Sequence, residues 1–291
     1  MIIDCHQHLA PDIIPTENLI AQMDATGIDK IALMASPCGP IPEPSPFLIS
    51  AMRFSLTRSW LRPLSKKTIT RFTEEGDVQL PTSVIKILKK PDNPLVFETA
   101  ERYPERFLAW CMVNPGDNQN TLAEYDQWKD HPACVGVKAH PFWHRYSLKK
   151  LLPVAERLVE KKAPLIVHLG FGDNGDILSI ANELPELKII IAHAGFPCYS
   201  NTWKIIKNRK NILVDLSATS YVDEKIMADV ASCLGIERCL YGTDGPFGSH
   251  NGHEGFDMGM IKRRIEKVFP DNGHQRMILG ENFMNFITLN T

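Results

Sequence analysis

The sequence lacks the patterns of several large classes of protein. No apolar run among its 291 residues approaches the roughly 18 residues that a membrane-spanning helix needs. Its 32 basic and 34 acidic residues form no long block of one sign, which argues against a nucleic-acid-binding face. The seven cysteines contain no Cys-x-x-Cys pair, so we expect free thiols in a reducing compartment.

What is present is typical of a globular enzyme. Hydrophobic residues make up 44% of the chain and charged residues 23%, which suits a substantial core. Strand-like sequence starts at Ile2 with no basic leader before it, so we expect a cytoplasmic protein. The near-neutral charge favours a small-molecule partner, neutral or anionic, over a nucleic acid or a membrane.

Short apolar runs alternate with amphipathic stretches along the whole chain. Eight runs are predicted strands: Ile2–His8, Lys30–Ala35, Arg106–Val113, Cys134–His140, Leu165–Leu169, Lys188–His193, Asn211–Leu216 and Arg238–Thr243. Predicted helices lie between them. This order indicates an α/β fold, a TIM (β/α)8 barrel formed by residues 1–291 as a single domain. An open doubly wound sheet is the competing fold, but no Gly-rich turn follows the first run.

One connection is much longer than the others. Residues 36–94, between the second strand and its helix, are rich in proline and include a predicted helix over Phe47–Leu61. So long a connection predicts an insertion with helices of its own, serving as a lid or an interface. Because it leaves the carboxyl end of a strand, its Arg53 and Arg58 are candidate groups for binding a substrate carboxylate.

Polar side chains end several of the predicted strands, where a barrel places its active site. His6 and His8 are one residue apart, so in a regular strand they share a face, together with Asp4. Lys138 and His140 also share a face, and either is a candidate for binding substrate. His250 and His253 follow the last strand in a Gly-rich loop and are further candidates for substrate contact. The remaining strand-end candidates are His168, His193 and Asp244.

Imidazole nitrogen and carboxylate oxygen are suitable ligands for a divalent ion such as Zn²⁺. We expect one ion, with Mn²⁺ as the alternative to Zn²⁺, held by His6, His8, His168 and Asp244. Asp244 is also a candidate proton acceptor, and His193 a candidate general base or electrophile. A bound ion lowers the pKa of its water to about 7, which supplies a nucleophile at neutral pH.

These residues resemble the amidohydrolase superfamily. The resemblance rests on Asp4-x-His6-x-His8, on His168 and His193 ending successive strands, and on Gly242-Thr-Asp244 with Pro246. Gly136-Val-Lys138-Ala-His-Pro141 and Ile278-Leu-Gly-Glu-Asn282 resemble its amidohydrolase-2 branch, which includes aminocarboxymuconate semialdehyde decarboxylase and related aromatic-acid decarboxylases.

The resemblance implies a single metal ion and an acid/base role for the residue matching His193. Binuclear relatives use a carboxylated lysine on the fourth strand, so a second ion on Lys138 is a less favoured alternative. The resemblance also implies a homodimer or homotetramer.

Two reactions are compatible with this set of residues. We favour hydrolysis of a small carboxylate-bearing amide, ester or lactone by metal-activated water. The alternative is non-oxidative decarboxylation of an unsaturated or aromatic acid on the same ion. A purely structural metal site is disfavoured because such sites are closed and rich in cysteine. A two-metal phosphoesterase would need an acidic bridging residue and a basic groove, and the sequence shows neither.

Overall fold

Eight parallel strands form the centre of this protein, in a computed structural model that describes residues 1–41, 45–80, 83–248 and 256–287. The described strands are β1 (Ile3–Leu9), β2 (Lys30–Ala35), β3 (Val78–Gln79), β4 (Val84–Ile85), β5 (Phe107–Val113), β6 (Cys134–Ala139), β7 (Leu165–Val167), β8 (Ile189–Ile191), β9 (Ile212–Asp215) and β10 (Cys239–Leu240). The large sheet has the order β1-β2-β5-β6-β7-β8-β9-β10, and β3 pairs with β4 separately.

The two ends of the large sheet meet. The Cys5 amide donates a hydrogen bond to the Tyr241 carbonyl at 3.0 Å, and the His8 amide donates to the Gly245 carbonyl at 2.8 Å. These bonds bring the chain after β10 against β1 and nearly close the ring of strands. The predicted TIM (β/α)8 barrel is therefore confirmed, and the open sheet is excluded.

Helices follow the strands on the outside of the barrel. The described helices are α1 (Thr16–Thr26), α2 (Pro46–Leu56), α3 (Arg62–Ile69), α4 (Asn93–Arg102), α5 (Thr121–Trp128), α6 (Pro141–His144), α7 (Leu152–Lys161), α8 (Leu178–Ala181), α9 (Ser200–Ile206), α10 (Glu224–Leu234), α11 (Gly259–Val268), α12 (Asn272–Arg276) and α13 (Asn282–Phe286). A π-helical segment, Met277–Glu281, joins α12 to α13. No helix among these described residues is long and apolar enough to cross a membrane.

The core has two layers because each barrel strand is buried on both faces, which is why runs such as Ile189–Ile191 are apolar throughout. One layer fills the barrel, and Trp110 and Phe283 are its largest side chains. The other packs between the strands and the surrounding helices. Because these side chains fill the inside of the barrel, a site can form only at the open end, where the carboxyl ends of the strands lie.

The insertion over residues 36–94 contains α2, α3 and the β3–β4 pair in its described part. The prediction of one helix over Phe47–Leu61 is wrong, because α2 ends at Leu56 and α3 begins at Arg62. Pro63 lies in the first turn of α3, where its missing amide hydrogen is tolerated, whereas it would break a helix interior. Several apolar side chains of these two helices and of the turn between them are exposed, including Phe47, Phe54, Trp60 and Leu64.

Candidate metal centre

A register shift near the middle of β1 determines which of its side chains reach the site. Asp4 lies opposite Ile31 of β2, but Gln7 lies opposite Leu33, so β1 contains one extra residue between these pairs. An extra residue of this kind locally reverses the alternation of faces along a strand. The next pair, His8 opposite Met34, has regular register again.

The shift overturns two expectations based on strict alternation. Asp4 was expected on the face of His6 and His8, yet its partner Ile31 belongs to the outer core layer. In a regular strand with His6 and His8 facing inward, Cys5 would face the surrounding helices, but it lies in the cluster that fills the barrel. The alternation of a regular strand does not apply across a bulge, and this is the reason for both errors.

Asp4 instead supports the loop that carries Asp244. Its carboxyl accepts hydrogen bonds from the His6 amide at 2.9 Å and the Thr243 amide at 3.1 Å. The Thr243 hydroxyl lies 2.5 Å from Asp4 Oδ2 and 2.5 Å from the Gln7 side-chain oxygen. Burial raises the pKa of Asp4 to about 7. A protonated Asp4 would satisfy both contacts of a hydroxyl that has a single hydrogen.

Three acceptor atoms meet at the carboxyl end of the barrel. Asp244 Oδ1 lies 3.2 Å from His6 Nε2 and 3.3 Å from His8 Nε2. All three side chains are buried, and these ligand atoms form a group that could hold a metal ion. The sequence prediction that His6, His8 and Asp244 come together is therefore consistent with their placement.

Hydrogen bonds at the opposite ring nitrogens show which nitrogens lack a proton. His8 Nδ1 lies 2.9 Å from the carbonyl oxygen of Ala35, and a carbonyl only accepts, so Nδ1 carries the hydrogen. His6 Nδ1 lies 2.9 Å from Asp215 Oδ2 and must likewise donate. In the neutral tautomers this leaves both Nε2 atoms as unprotonated lone pairs aimed at a carboxylate oxygen.

Three lone pairs at this distance repel one another unless a cation or an added proton lies between them. Burial and the nearby Lys138 amine lower the pKa of His6, but Asp215 and Asp244 outweigh them and leave that pKa raised. Burial alone would raise the pKa of Asp244, but neighbouring imidazoles hold it well below its usual range. Nitrogen and oxygen donors of this kind fit a divalent ion.

His168 lies beside this group without belonging to it. Its Nδ1 is 3.0 Å from His193 Nε2, and its Nε2 is buried without a partner among the described residues. Its ring stacks on His140, with centroids 4.1 Å apart, and contacts Phe142 and Phe196. Buried polar atoms in proteins nearly always have a hydrogen-bond partner or another ligand. The unpaired Nε2 atom of His168 is therefore suitable as a fourth metal ligand.

His193 has both ring nitrogens engaged. Nδ1 lies 2.8 Å from the Ser217 hydroxyl, and Nε2 is bonded to His168. Burial lowers the pKa of His193 to about 4, so the ring is neutral at physiological pH. Its predicted acid/base role would require the bond to His168 to break.

Lys138 on β6 and His140, which follows its end, differ in what they contact. The Lys138 amine is buried and lies 2.9 Å from His6 Nε2, and burial lowers its pKa to about 8. The His140 ring lies against the rings of His168 and Trp143, and its Nδ1 accepts the Trp143 amide. Lys138 is thus the inward charged group, and His140 forms part of the aromatic wall.

The arginines of the insertion are engaged elsewhere in this structure. Arg53 donates to the Thr219 carbonyl at 2.6 Å and lies 3.6 Å from Asp223. Arg58 is exposed, donates to the Phe54 carbonyl and lies over the Phe54 ring. Carboxylate binding by either arginine stays a prediction, and His250 and His253 lie outside the described residues.

Sequence reasoning missed two residues at the end of β9. Asp215 accepts from His6 and from the His193 amide, and Ser217 bridges Asp215 and His193. Both side chains are fully buried. The signal that could have identified Asp215 is its position, since it ends the seventh barrel strand as His168 and His193 end earlier ones.

The barrel and this group of residues define a TIM-barrel protein with a candidate metal centre. A family model described as Amidohydrolase, of the amidohydrolase-2 type, matches residues 3–282. The chain therefore belongs to the amidohydrolase-2 family and is an enzyme of the amidohydrolase superfamily. No curated protein matches the sequence significantly.

Solved structures with the same fold include several enzymes. A 4-oxalomesaconate hydratase from Rhodopseudomonas palustris has a TM-score of 0.62 and 15% identity, covering 98% of this chain and 95% of its own. A dihydroxybenzoic acid decarboxylase from a Polaromonas species, with bound manganese and the inhibitor 2-nitroresorcinol, has a TM-score of 0.61 and 14% identity over 98% and 96%. A 5-carboxyvanillate decarboxylase from Sphingomonas paucimobilis has a TM-score of 0.60 and 13% identity over 99% of both chains. At these identities the likeness establishes the fold alone.

Proposed function

We propose that this chain is a metal-dependent hydrolase that acts on a small carboxylate-bearing amide, ester or lactone. The observation that carries the proposal is a group of three acceptors at the barrel mouth, in which Asp244 Oδ1 lies 3.2 Å from His6 Nε2 and 3.3 Å from His8 Nε2. A cation or an added proton stabilises such a group, and its nitrogen and oxygen donors fit a divalent ion. His168 Nε2 is the proposed fourth ligand, and Zn²⁺ the preferred ion, with Mn²⁺ as the alternative.

When bound, a divalent ion at this site lowers the pKa of a coordinated water and polarises a carbonyl group. The residues of the chain supply the rest. Asp244 has a carboxylate oxygen in the group and an ionised side chain, so it is the proposed acceptor of the water proton and its donor to the leaving group. Lys138 is the proposed cation that binds the substrate carboxylate, because its buried amine adjoins His6.

A second candidate reaction, decarboxylation of an unsaturated or aromatic acid, is favoured by the aromatic wall. Phe142, Phe196 and Tyr221 have ring centroids between 5.6 and 5.9 Å from that of His168. Aromatic side chains gathered around His168 offer apolar faces on which a flat substrate can stack. The two decarboxylases that share the fold, for dihydroxybenzoic acid and 5-carboxyvanillate, support this candidate.

Proton balance distinguishes the two reactions in one assay. Hydrolysis of an ester or lactone releases a proton, whereas decarboxylation of a carboxylate releases carbon dioxide and takes up a proton. Purified protein loaded with Zn²⁺ or Mn²⁺ should acidify a weakly buffered panel of lactones and esters. Carbon dioxide release from aromatic or dienoic acids, without acidification of that panel, would favour the second candidate.

Variants test the site itself. His6→Ala and Asp244→Asn should lose bound metal and activity together, because each removes one of the three meeting acceptors. His274→Ala, an exposed histidine of α12, is the matched control and should keep both. Full metal content in His6→Ala and Asp244→Asn would contradict the proposal.

The expected homodimer or homotetramer is supported by the exposed apolar side chains of α2 and α3, and light scattering would measure it.

A further inference from the structure

We infer that Asp215 and Ser217 are positioning residues that select the metal-binding nitrogen of two candidate ligands. Asp215 acts on His6 directly, and it acts on His168 through Ser217 and His193. The inference rests on the proposed metal site. It assigns a role to two residues that are not themselves proposed metal ligands or substrate-binding groups.

The Asp215 carboxylate is held rigidly enough to orient its neighbours. Its Oδ1 accepts the His193 amide at 2.9 Å and the Ser217 amide at 3.0 Å, and its Oδ2 receives His6 Nδ1 at 2.9 Å. Two backbone N–H groups donate to Oδ1, so this oxygen carries no hydrogen of its own and only accepts hydrogen bonds.

The direction of the next two bonds follows because Oδ1 is an acceptor. The Ser217 hydroxyl contacts Asp215 Oδ1 and must donate its single hydrogen there. Towards His193 Nδ1, 2.8 Å away, the same hydroxyl can then only accept. His193 must carry its hydrogen on Nδ1.

A neutral imidazole has one ring hydrogen, so His193 Nε2 is an acceptor. It lies 3.0 Å from His168 Nδ1, which must therefore donate. The hydrogen of His168 is thus on Nδ1, and its Nε2 is a lone pair. This is the nitrogen that is buried without a partner among the described residues.

This chain of hydrogen bonds selects one of two possible tautomers for His193 and for His168. Without the Ser217 hydroxyl, nothing holds the hydrogen of His193 on Nδ1, and the ring can carry it on Nε2. It would then donate to His168 Nδ1 and move the hydrogen of His168 to Nε2. A protonated Nε2 cannot bind a metal ion, so one buried hydroxyl governs a ligand three hydrogen bonds from Asp215.

The test measures metal affinity of the metal-free protein, independently of activity. Ser217→Ala should weaken Zn²⁺ binding, measured by competition with a chelating dye, by about 10- to 100-fold. Asp215→Ala should weaken it further, because both arms then lose their acceptor. Thr202→Val is the matched control: it removes another buried hydroxyl, whose one hydrogen bond within the described part of the chain is to the Gly195 carbonyl at 3.4 Å.

A second readout follows the tautomer itself. In metal-free protein with ¹⁵N-labelled histidine, wild type should show His193 protonated at Nδ1, and Ser217→Ala should show loss of that tautomer. Unchanged affinity in Ser217→Ala, an unchanged tautomer, or an equal loss in Thr202→Val would overturn the inference while leaving the metal site intact. Absence of Zn²⁺ binding by wild type would instead overturn the proposed function.

Discussion

His144 provides the sharpest test of how burial controls charge around the site. The side chain ends α6, is buried, and donates through Nε2 to the Leu88 carbonyl at 3.1 Å. Its Nδ1 has no partner among the described residues. Burial lowers the pKa of His144 to about 4, because the lost hydration of a charged ring outweighs the Leu88 carbonyl and the Asp117 charge, which both raise it.

The sign of the resulting pH dependence follows from proton binding. An unfolded histidine titrates near 6.5, so below that pH the unfolded chain binds a proton that the folded chain does not. Stability from His144 is therefore fully present above 6.5 and is lost as the pH falls towards 4. The difference between 6.5 and about 4, at about 1.4 kcal/mol per pH unit, corresponds to about 3 kcal/mol.

The perturbation is His144→Gln, which keeps an amide N–H for the Leu88 carbonyl but does not titrate. We expect urea unfolding to give free energies of unfolding for metal-free wild type and variant. The difference between the two should change by about 3 kcal/mol between about pH 7 and about pH 4. The wild type loses this stability on acidification. His274→Gln, at an exposed site, is the control. Parallel pH profiles for wild type and His144→Gln would refute the reasoning.

Three further predictions concern the candidate centre. Adding Zn²⁺ or Mn²⁺ to chelator-treated protein should raise the free energy of unfolding by about 2.7 kcal/mol at 100 times Kd, and an unchanged Tm would contradict metal binding to the folded state. Lys138→Met should raise KM for a carboxylate substrate on the order of 10- to 100-fold while metal content stays constant; loss of metal would instead make Lys138 a ligand. Asp4→Ala should cost at least about 2 kcal/mol by chemical denaturation, because the buried His6 and Thr243 amides lose their acceptor, whereas Asp4→Asn keeps an acceptor and should cost less.

The sequence was sufficient for the fold because the fold depends on repeated local patterns. Predicted strands such as Lys30–Ala35 and Arg106–Val113 match β2 and β5 closely, since runs buried on both faces are apolar along their whole length. The later strands are shorter than predicted, as in β10, where only Cys239 and Leu240 have regular pairing. The residues that follow these short strands were included in the predicted runs, but they form no regular hydrogen-bonded pairs with the neighbouring strand.

The sequence also determined which side chains gather at the barrel mouth, and only the tertiary structure decided how they act on one another. His6, His8 and Asp244 could be assigned to one end because the carboxyl ends of parallel strands converge there. The bulge in β1 could not be predicted, because an extra residue in a strand changes neither the composition nor the spacing of the sequence pattern. The bonds from Asp215 to His6 and through Ser217 to His193 join β9 to more distant parts of the chain. Proton positions depend on such contacts, which no local pattern encodes.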